Sequence, residues 1–342
     1  MLIEELSRIP GVSGDETRVR NFIKEKLSAW GIKNETDSMG NLYAFKEGGK
    51  KNEEQGIMLV AHMDEVGLMV SSIEKSGHLR FYKVGGIYEN TLVAKPVRIG
   101  PRDVYGVIGA KAIHLQKKDE RKKALEVDKL YIDIGAKNRE DAEKVVKIGD
   151  YATFYSEAVV SGDLLKGKAL DDRAGCAALL EILQRDYPFS FTVVFSVQEE
   201  VGLRGARVAA YRLNPRVALV LETTGAADLP GVKEQDYSVS LGLGPALTIR
   251  DGSAVAHPRV LDRLISVAEE QKRPYQFRSF MGSFTDAGVI SLSQSGVATG
   301  VISTPCRYIH SPVSLLNMQD WKHLVEITDS FLRSVHEKGL DV

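Results

Sequence analysis

Several features are scarce in this 342-residue chain, and each shortage excludes a class of protein. Cysteine occurs only at Cys176 and Cys306, which is too few for a disulfide framework and suits a reducing cytoplasm. No apolar run approaches the roughly 20 residues of a membrane-spanning helix. The N-terminal segment MLIEELSRIPG also lacks the basic and apolar regions of a signal peptide. The sequence therefore predicts a cytoplasmic protein with no membrane partner.

An excess of charge of either sign is missing as well. Lys and Arg number 45 and Asp and Glu 46, which gives a formal net charge of -1. Nucleic acids and anionic membranes favour strongly basic surfaces, so neither is expected as the main partner. Hydrophobic residues at 43% and charged residues at 27% are typical of a soluble globular protein, and the length suits about two domains.

The most informative stretch is FTVVFSVQEEVG, residues 191–202. Its apolar, β-branched start predicts a buried strand of an α/β sheet, and the strand ends in Glu199 and Glu200. Open α/β sheets bind ligands at the carboxyl ends of their strands. Two adjacent carboxylates repel each other unless a cation or a proton separates them. Neighbouring side chains on a strand point to opposite sides, so separate roles for the pair would require a turn there, with Gly202 well placed to help.

The order of predicted elements divides the chain into two parts. Residues 1–67 and 164–342 alternate strands and helices, which predicts a doubly wound, mostly parallel sheet with helices on both faces. Residues 68–163 contain short β runs punctuated by glycine, which predicts a small inserted β domain. Ser13 and Glu16 have the spacing of a helix capping box. The charged run 117–123 is interpreted as a solvated loop.

Potential metal ligands collect at one predicted rim of the sheet. Three strands end in His62, in the Glu199–Glu200 pair and in Glu222, and Asp171 and His310 flank them. Imidazole and carboxylate ligands together suit zinc, cobalt or manganese. With five such ligands, one carboxylate can bridge two ions about 3.5–4 Å apart. Taken singly, each residue also has an ordinary explanation, such as a core histidine, a helix cap or a strand-end carboxylate.

The full set of motifs resembles a known family over essentially the whole chain. The chain is similar to the dinuclear metallo-aminopeptidases of the tetrahedral, TET-type family, which includes glutamyl, lysyl and deblocking aminopeptidases. The matching segments are HMDEVG at 62–67, KALDDRAG at 168–175, QEEVGLRGA at 198–206, TDAG at 285–288 and RYIHSP at 307–312. The resemblance implies a zinc-peptidase-like fold with an inserted β-barrel or PDZ-like domain used for oligomerisation.

The resemblance also implies a role for each site residue. Asp171 would bridge two ions, His62 and Glu222 would complete one site, and Glu200 and His310 the other. Glu199 would be the general base, and Asp64 would orient His62. A cis peptide between Asp171 and Asp172 is implied too. The chain departs from the family at Glu222, where Asp is usual, and at Phe284, where a small residue is common before TDAG.

The predicted function is a metal-dependent aminopeptidase acting on peptides with a free N-terminus. Its cofactors would be two divalent ions per subunit, with zinc or cobalt favoured and manganese also possible. The resemblance implies a homo-oligomer, a dodecamer built from dimers. Arg250 and Arg307 near the predicted rim could favour acidic substrate residues, or could pair with structural carboxylates.

Three alternatives stay open. Some relatives carry an endoglucanase name, but the two-carboxylate chemistry of a glycosidase gives the histidines no role, and 7% aromatic residues offer little for sugar stacking. An N-acyl amino acid deacylase or a carboxypeptidase could use the same fold and metals. The third is an inactive scaffold whose site decayed at Glu222.

Overall fold

The computed structural model describes residues 1–48, 54–118, 125–233 and 238–340. The helices are α1 (Leu2–Arg8), α2 (Thr17–Ala29), α3 (Arg139–Glu143), α4 (Leu170–Gln184), α5 (Arg204–Leu213), α6 (Pro258–Glu270), α7 (Ala287–Ser291) and α8 (Met318–Lys338). The first nine strands are β1 (Lys33–Thr36), β2 (Leu42–Lys46), β3 (Glu54–His62), β4 (Gly67–Ile73), β5 (Leu79–Val84), β6 (Pro96–Ile99), β7 (Val104–Gly109), β8 (Tyr131–Asp133) and β9 (Tyr151–Phe154). The others are β10 (Val159–Ser161), β11 (Leu164–Gly167), β12 (Ser190–Ser196), β13 (Val217–Gly225), β14 (Ala246–Arg250), β15 (Gln276–Ser279), β16 (Ala298–Arg307) and β17 (Ser314–Asn317).

A large mixed sheet forms the scaffold of the molecule. Its strand order is β1-β2-β12-β3-β13-β16-β17-β11-β10, and β14 and β15 add to it beside β16. The four central strands β12, β3, β13 and β16 run parallel, and antiparallel strands flank them. The predicted α/β fold class is confirmed; the parallel pairs are those of the four central strands and the side pair β14–β15.

Helices cover both faces of this sheet. Apolar side chains of α4, among them Leu179 and Leu183, pack with α2 and α8 against one face of the sheet. Together they form the largest hydrophobic cluster among the described residues. Ala206 and Ala210 of α5 and Ile290 of α7 pack against the other face. Strand β3 is buried along 57–61 because it is covered on both sides.

A closed barrel interrupts the sheet in sequence. Strands β4, β5, β8, β7, β6 and β9 form it in that order around an apolar core of their own. The barrel strands span residues 67–154, and the predicted inserted β domain spans residues 68–163. The division at residues 67 and 163 stays a prediction. The charged run 117–123 lies outside the described residues from position 119 onward.

The predicted capping box at the start of α2 is wrong. Ser13 Oγ donates to Asp64 Oδ2 at 2.6 Å rather than capping the helix, and α2 has no side-chain cap. Glu16 Oε1 accepts the main-chain N–H groups of Gly14 and Gln198. Both side chains are therefore engaged by other contacts near the predicted rim.

Across the described ranges, no helix has the length and apolarity needed to cross a membrane.

Candidate metal centre

The parallel register brings the strand-end residues together. Ser196, the last residue of β12, is paired with His62 at the end of β3. Glu199 and Glu200 follow β12 by three and four residues. Strand β13 runs beside β3 on its other side and carries Glu222 near its carboxyl end. The predicted gathering of these residues at one edge of the sheet is therefore observed.

Asp171 lies between the two histidines. Its Oδ1 is 3.4 Å from Nε2 of His62, and its Oδ2 is 3.2 Å from Nε2 of His310. Glu222 Oε1 lies 3.4 Å from Nε2 of His62, and Glu200 Oε2 lies 3.3 Å from Nε2 of His310. The five side chains form two groups that share Asp171. The implied cis peptide between Asp171 and Asp172 is present.

Asp64 determines how His62 is presented. Nδ1 of His62 lies 3.1 Å from the main-chain oxygen of Asp64 and 3.3 Å from its Oδ1. Both neighbours are acceptors, so in the neutral imidazole Nδ1 carries the hydrogen, and Nε2, which faces Asp171 and Glu222, carries the lone pair. This is the tautomer that a metal-binding histidine needs.

The chain turns at the glutamate pair, as separate roles for the two residues require. Gln198 adopts a left-handed conformation with φ of 57°, and Gly202 has φ of 118°. The main-chain N–H groups of Glu199 and Glu200 donate to Asp64 Oδ1 and Oδ2 at 3.0 and 3.1 Å. The turn begins at Gln198, which is not a glycine, so a local pattern does not signal it.

The carboxylates of the site are crowded and mostly buried. Burial, together with neighbouring acidic groups, raises the pKa of Glu200 to about 8 and that of Glu222 to about 7, although histidines oppose the shift. Burial likewise raises the pKa of Glu199 well above its usual range. Burial also acts to raise the pKa of Asp171, but hydrogen bonds with His310 and His62 lower it overall. Such a cluster binds protons unless cations replace them.

The donor set fits divalent metal ions. Ligand atoms of His62, Asp171 and Glu200 lie within 4.8 Å of one another, and so do those of His62, Asp172 and Glu222. We favour Asp171 over Asp172 as the shared ligand because its two oxygens face two different histidines. Asp172 Oδ1 instead accepts the N–H of Gly175 at 2.9 Å.

The site is accessible to solvent beside His310. The side chain of His62 is 2% exposed and that of His310 is 35% exposed. A small cavity at this position is lined by Asp171, Glu200 and His310 together with Phe154 of the barrel. A substrate would therefore approach from the His310 side, between the sheet and the barrel.

Three further polar residues of the site were missed by the sequence reasoning. Asp172 is fully buried, and its Oδ2 has no hydrogen-bond partner in the part of the chain that the structure describes. Thr223 Oγ1 donates to Asp171 Oδ1 at 2.6 Å. Asp286 accepts a hydrogen bond from Ser196 Oγ at 2.6 Å, and burial raises its pKa to about 6. The TDAG motif, which contains Asp286, was the available signal for the last of these.

The structure also locates the two arginines predicted near the rim, Arg250 and Arg307, and the aromatic residue Phe284 before the TDAG motif. Arg307 binds Asp228 in a two-pronged pair, with Nε and Nη2 donating at 2.8 and 2.6 Å. This is the structural pairing that the sequence left open for Arg307. Arg250 is exposed at the end of β14, and Phe284 is 63% exposed.

A buried ion cluster supports the segment that carries Asp171. Lys168 Nζ donates to both oxygens of Glu65 at 2.7 and 2.8 Å. Arg173 donates to the main-chain oxygens of Met63, Leu6 and Ile9. These contacts tie both ends of 168–173 to the segment after β3 and to the N-terminus.

Comparison with known proteins agrees with this geometry. The model of a protein family described as M42 glutamyl aminopeptidase matches residues 40–327, which is most of the chain. The chain belongs to the M42 glutamyl aminopeptidase family. Among M42 relatives, a lysyl aminopeptidase of Pyrococcus furiosus is 32% identical over 348 residues, covering 98% of this chain and 96% of its own. A glutamyl aminopeptidase of Lactococcus lactis is 31% identical, with 97% and 94% coverage.

Solved structures of similar proteins share the whole fold. A TET aminopeptidase from a marine-sediment Thaumarchaeota archaeon has a TM-score of 0.94 and 34% identity, covering 99% of this chain and 96% of its own. The TET1 peptidase of Pyrococcus horikoshii, described as assembling into a tetrahedron or a large octahedral shell, has a TM-score of 0.84 and 31% identity, with 96% and 97% coverage. A Thermotoga maritima protein named endoglucanase has a TM-score of 0.81 and 35% identity, with 99% and 97% coverage.

Proposed function

We propose that this M42 peptidase is an aminopeptidase that uses two divalent metal ions to release N-terminal residues from peptides. The observation that carries the proposal is the position of Asp171, whose two oxygens lie 3.4 and 3.2 Å from Nε2 of two separate histidines. A carboxylate placed in this way suits a bridging ligand between two ions.

Each ion would have its own ligands in addition to Asp171. His62 and Glu222 would hold one ion, and Glu200 and His310 the other. The mixed nitrogen and oxygen donors suit zinc or cobalt, with manganese also compatible. When bound, such a pair of ions supplies a Lewis acid for the scissile carbonyl and lowers the pKa of water.

Glu199 is the proposed general base. Glu200 lies 3.3 Å from His310, and Glu199 has no such ion-pair contact with a histidine among the described residues. Its main-chain N–H is held by Asp64, and burial raises its pKa, as a proton-transferring group requires. Glu199 would take the proton of the attacking water and return it to the leaving amine. The surrounding carboxylates would attract the positively charged N-terminus of the peptide.

Glu199→Gln tests the assignment, with Glu200→Gln as its matched neighbour. The Glu199 variant should keep its metal content while kcat falls by about a hundredfold to ten-thousandfold, because the amide cannot accept the proton. The Glu200 variant should lose metal as well as activity. Elemental analysis and release of a chromogenic aminoacyl group measure the two effects. Metal loss in the Glu199 variant would instead make Glu199 a ligand.

A second candidate function is sugar hydrolysis, because a similar solved structure carries the name endoglucanase. The histidines and Asp171 have no role in two-carboxylate sugar hydrolysis. Removal of metal by a chelator should abolish peptide hydrolysis, whereas metal-independent cellulose hydrolysis would favour the glycosidase. Comparing N-terminally blocked and free peptides separates an aminopeptidase from a deacylase or a carboxypeptidase.

The assembly is proposed to be a dodecamer built from dimers, with the barrel contributing to the contacts. The support is the similarity to TET peptidases with a large assembled form. Light scattering would distinguish a dodecamer from a dimer. The cytoplasmic location and the absence of a nucleic-acid partner stay predictions from sequence.

A further inference from the structure

A second cavity, of about 340 Å³, lies between the barrel and the segment that leads into α4. The barrel contributes Arg98 of β6, Phe154 of β9 and the following Tyr155, and the rest of the wall includes Arg8 and Lys168. The buried ring of Phe154 also lines the small cavity at the metal centre. The two spaces therefore share a wall, but none of the proposed metal ligands lines the larger one.

Positive charge dominates the wall of this cavity. Arg8, Arg98 and Lys168 line it, and the only carboxylate in the lining is that of the exposed Glu157. Lys168 already pairs with Glu65, yet burial and the nearby arginines lower its pKa to about 8. Cations gathered in this way repel one another unless an anion lies between them.

Arg98 is the cation that most clearly lacks an acceptor. Its Nε is buried and has no hydrogen-bond partner within the described parts of the chain. Its guanidinium carbon lies 4.3 Å from the ring centroid of Tyr155 and 5.6 Å from that of Tyr105, so the group is held against aromatic faces. Arg98 thus lines the cavity without an ion-pair partner among the described residues, so the charge of its guanidinium is available to a bound anion.

Arg8 is positioned at the same cavity by a contact of its own. Its Nη2 donates to the main-chain oxygen of Ala158 at 2.8 Å. This bond holds one end of the otherwise exposed guanidinium at the cavity. Two arginines from different parts of the chain thus line one concave space, an arrangement suited to bidentate binding of a carboxylate or a phosphate.

We propose that this cavity binds a small anion through a phosphate or carboxylate group, with Arg98 and Arg8 as its main ligands and Lys168 as a further cation in the wall. The volume suits a small molecule rather than a folded partner surface. Because Phe154 separates it from the metal centre, the anion site is distinct from the catalytic one.

Calorimetric titration of the intact, metal-loaded assembly with inorganic phosphate, and separately with succinate, tests the proposal at constant ionic strength. The wild-type protein should bind at least one of the two anions. Arg98→Gln should weaken that binding about tenfold or more, because it removes a charged hydrogen-bond donor. Arg102→Gln, at an exposed barrel arginine bonded to the main-chain oxygen of Lys144, should leave it unchanged. Arg8→Gln serves as the second variant if Arg98→Gln fails to fold by circular dichroism.

The outcomes separate this site from other sources of anion binding. Weaker binding in the arginine variants, with aminopeptidase activity retained, supports the proposal, and tighter binding of one anion identifies its chemistry. Binding that both arginine variants retain would mean that the anion sits at the metals, which overturns the proposal. Failure of wild-type protein to bind either anion also overturns it. If Arg98→Gln then changes the mass of the assembly, the cavity instead receives an acidic side chain of another subunit.

Discussion

Asp64 offers a direct test of how the site is held together. Its carboxylate is fully buried and accepts the main-chain N–H groups of Glu199 and Glu200 at 3.0 and 3.1 Å. Ser13 Oγ donates to it at 2.6 Å, and Nδ1 of His62 lies 3.3 Å away. The side chain therefore holds the turn that carries the glutamate pair, and together with the main-chain oxygen of Asp64 it orients the proposed metal ligand His62.

The substitution Asp64→Asn keeps the shape and changes the hydrogen bonding. Each carboxylate oxygen accepts a main-chain N–H, so the new NH₂ group must face a donor in either orientation. The lost bond should lower the free energy of unfolding by about 1–3 kcal/mol. Loss of the partner that orients a ligating histidine lowers metal affinity by about 10–100-fold in comparable sites. We expect both effects in this variant.

Competition with a chromophoric chelator measures the metal affinity, and Asp262→Asn, at an exposed position on α6, is the control. The Asp64 variant should bind metal more weakly and regain part of its kcat at high metal concentration, while the control matches the wild type. Wild-type metal affinity in Asp64→Asn would refute the reasoning. A loss of kcat that saturating metal does not restore would assign Asp64 to proton transfer.

Asp64 also makes the stability of the protein depend on pH in the acid range. Burial acts to raise its pKa, but the contacts with His62 and Ser13 lower it below the ordinary value of 3.8. The unfolded chain therefore binds this proton more readily, so the contribution is fully present above pH 3.8 and is lost as the pH falls through the lower folded value. Asp64→Asn should remove this part of the acid dependence.

Three further predictions concern charge and metal. Glu65→Gln leaves the buried Lys168 charge poorly paired and should lower the free energy of unfolding by about 3–5 kcal/mol in chemical denaturation, whereas Glu74→Gln, at a partly exposed pair with Arg80, should lower it by less than about 1 kcal/mol. Equal costs would contradict the structural role of the buried pair. The pKa values of about 9 for His310 and about 8 for Glu200 mean that metal must displace protons at pH 7, so affinity should rise with pH up to about 9. Calorimetric titration with metal in two buffers of different ionisation enthalpy would detect the release of protons. Equal heats of binding in the two buffers would count against it. A chelator should abolish peptide hydrolysis, with recovery on adding zinc or cobalt; activity that persists without metal would exclude the proposed chemistry.

The residues at strand ends could be predicted because their positions follow from local patterns. The apolar runs before His62, Glu199 and Glu222 identified parallel central strands, whose carboxyl ends lie at one edge. Asp171 lies near the start of α4 rather than after a central strand, and His310 follows β16 by three residues; the roles of both came from the family resemblance. Their position beside one another in the structure depends on the start of α4 and on the turn after β16.

The errors and omissions arise from contacts distant in sequence. Ser13 and Glu16 have the spacing of a cap, but Ser13 contacts Asp64, 51 positions away, and Glu16 contacts Gln198, 182 positions away. Gln198 adopts a positive φ without being glycine, and a local pattern does not signal that. Burial of Asp172 likewise depends on how α4 packs against the sheet. Local sequence thus identifies candidate ligand residues, and tertiary packing decides which of them face one another.

The substitution of Glu for the usual Asp at 222 bears on whether the site is active. The longer side chain still brings Oε1 to 3.4 Å from Nε2 of His62, and the same oxygen accepts the N–H of Thr223 at 3.1 Å. A decayed site would be expected to lose this alignment or to fill the space with an apolar side chain. Here the carboxylate stays buried beside other acids, where its pKa is raised to about 7 by burial and by its neighbours. Retaining a costly buried acid in a ligand position is explained by a cation that offsets the cost, which argues for a working metal site over a scaffold.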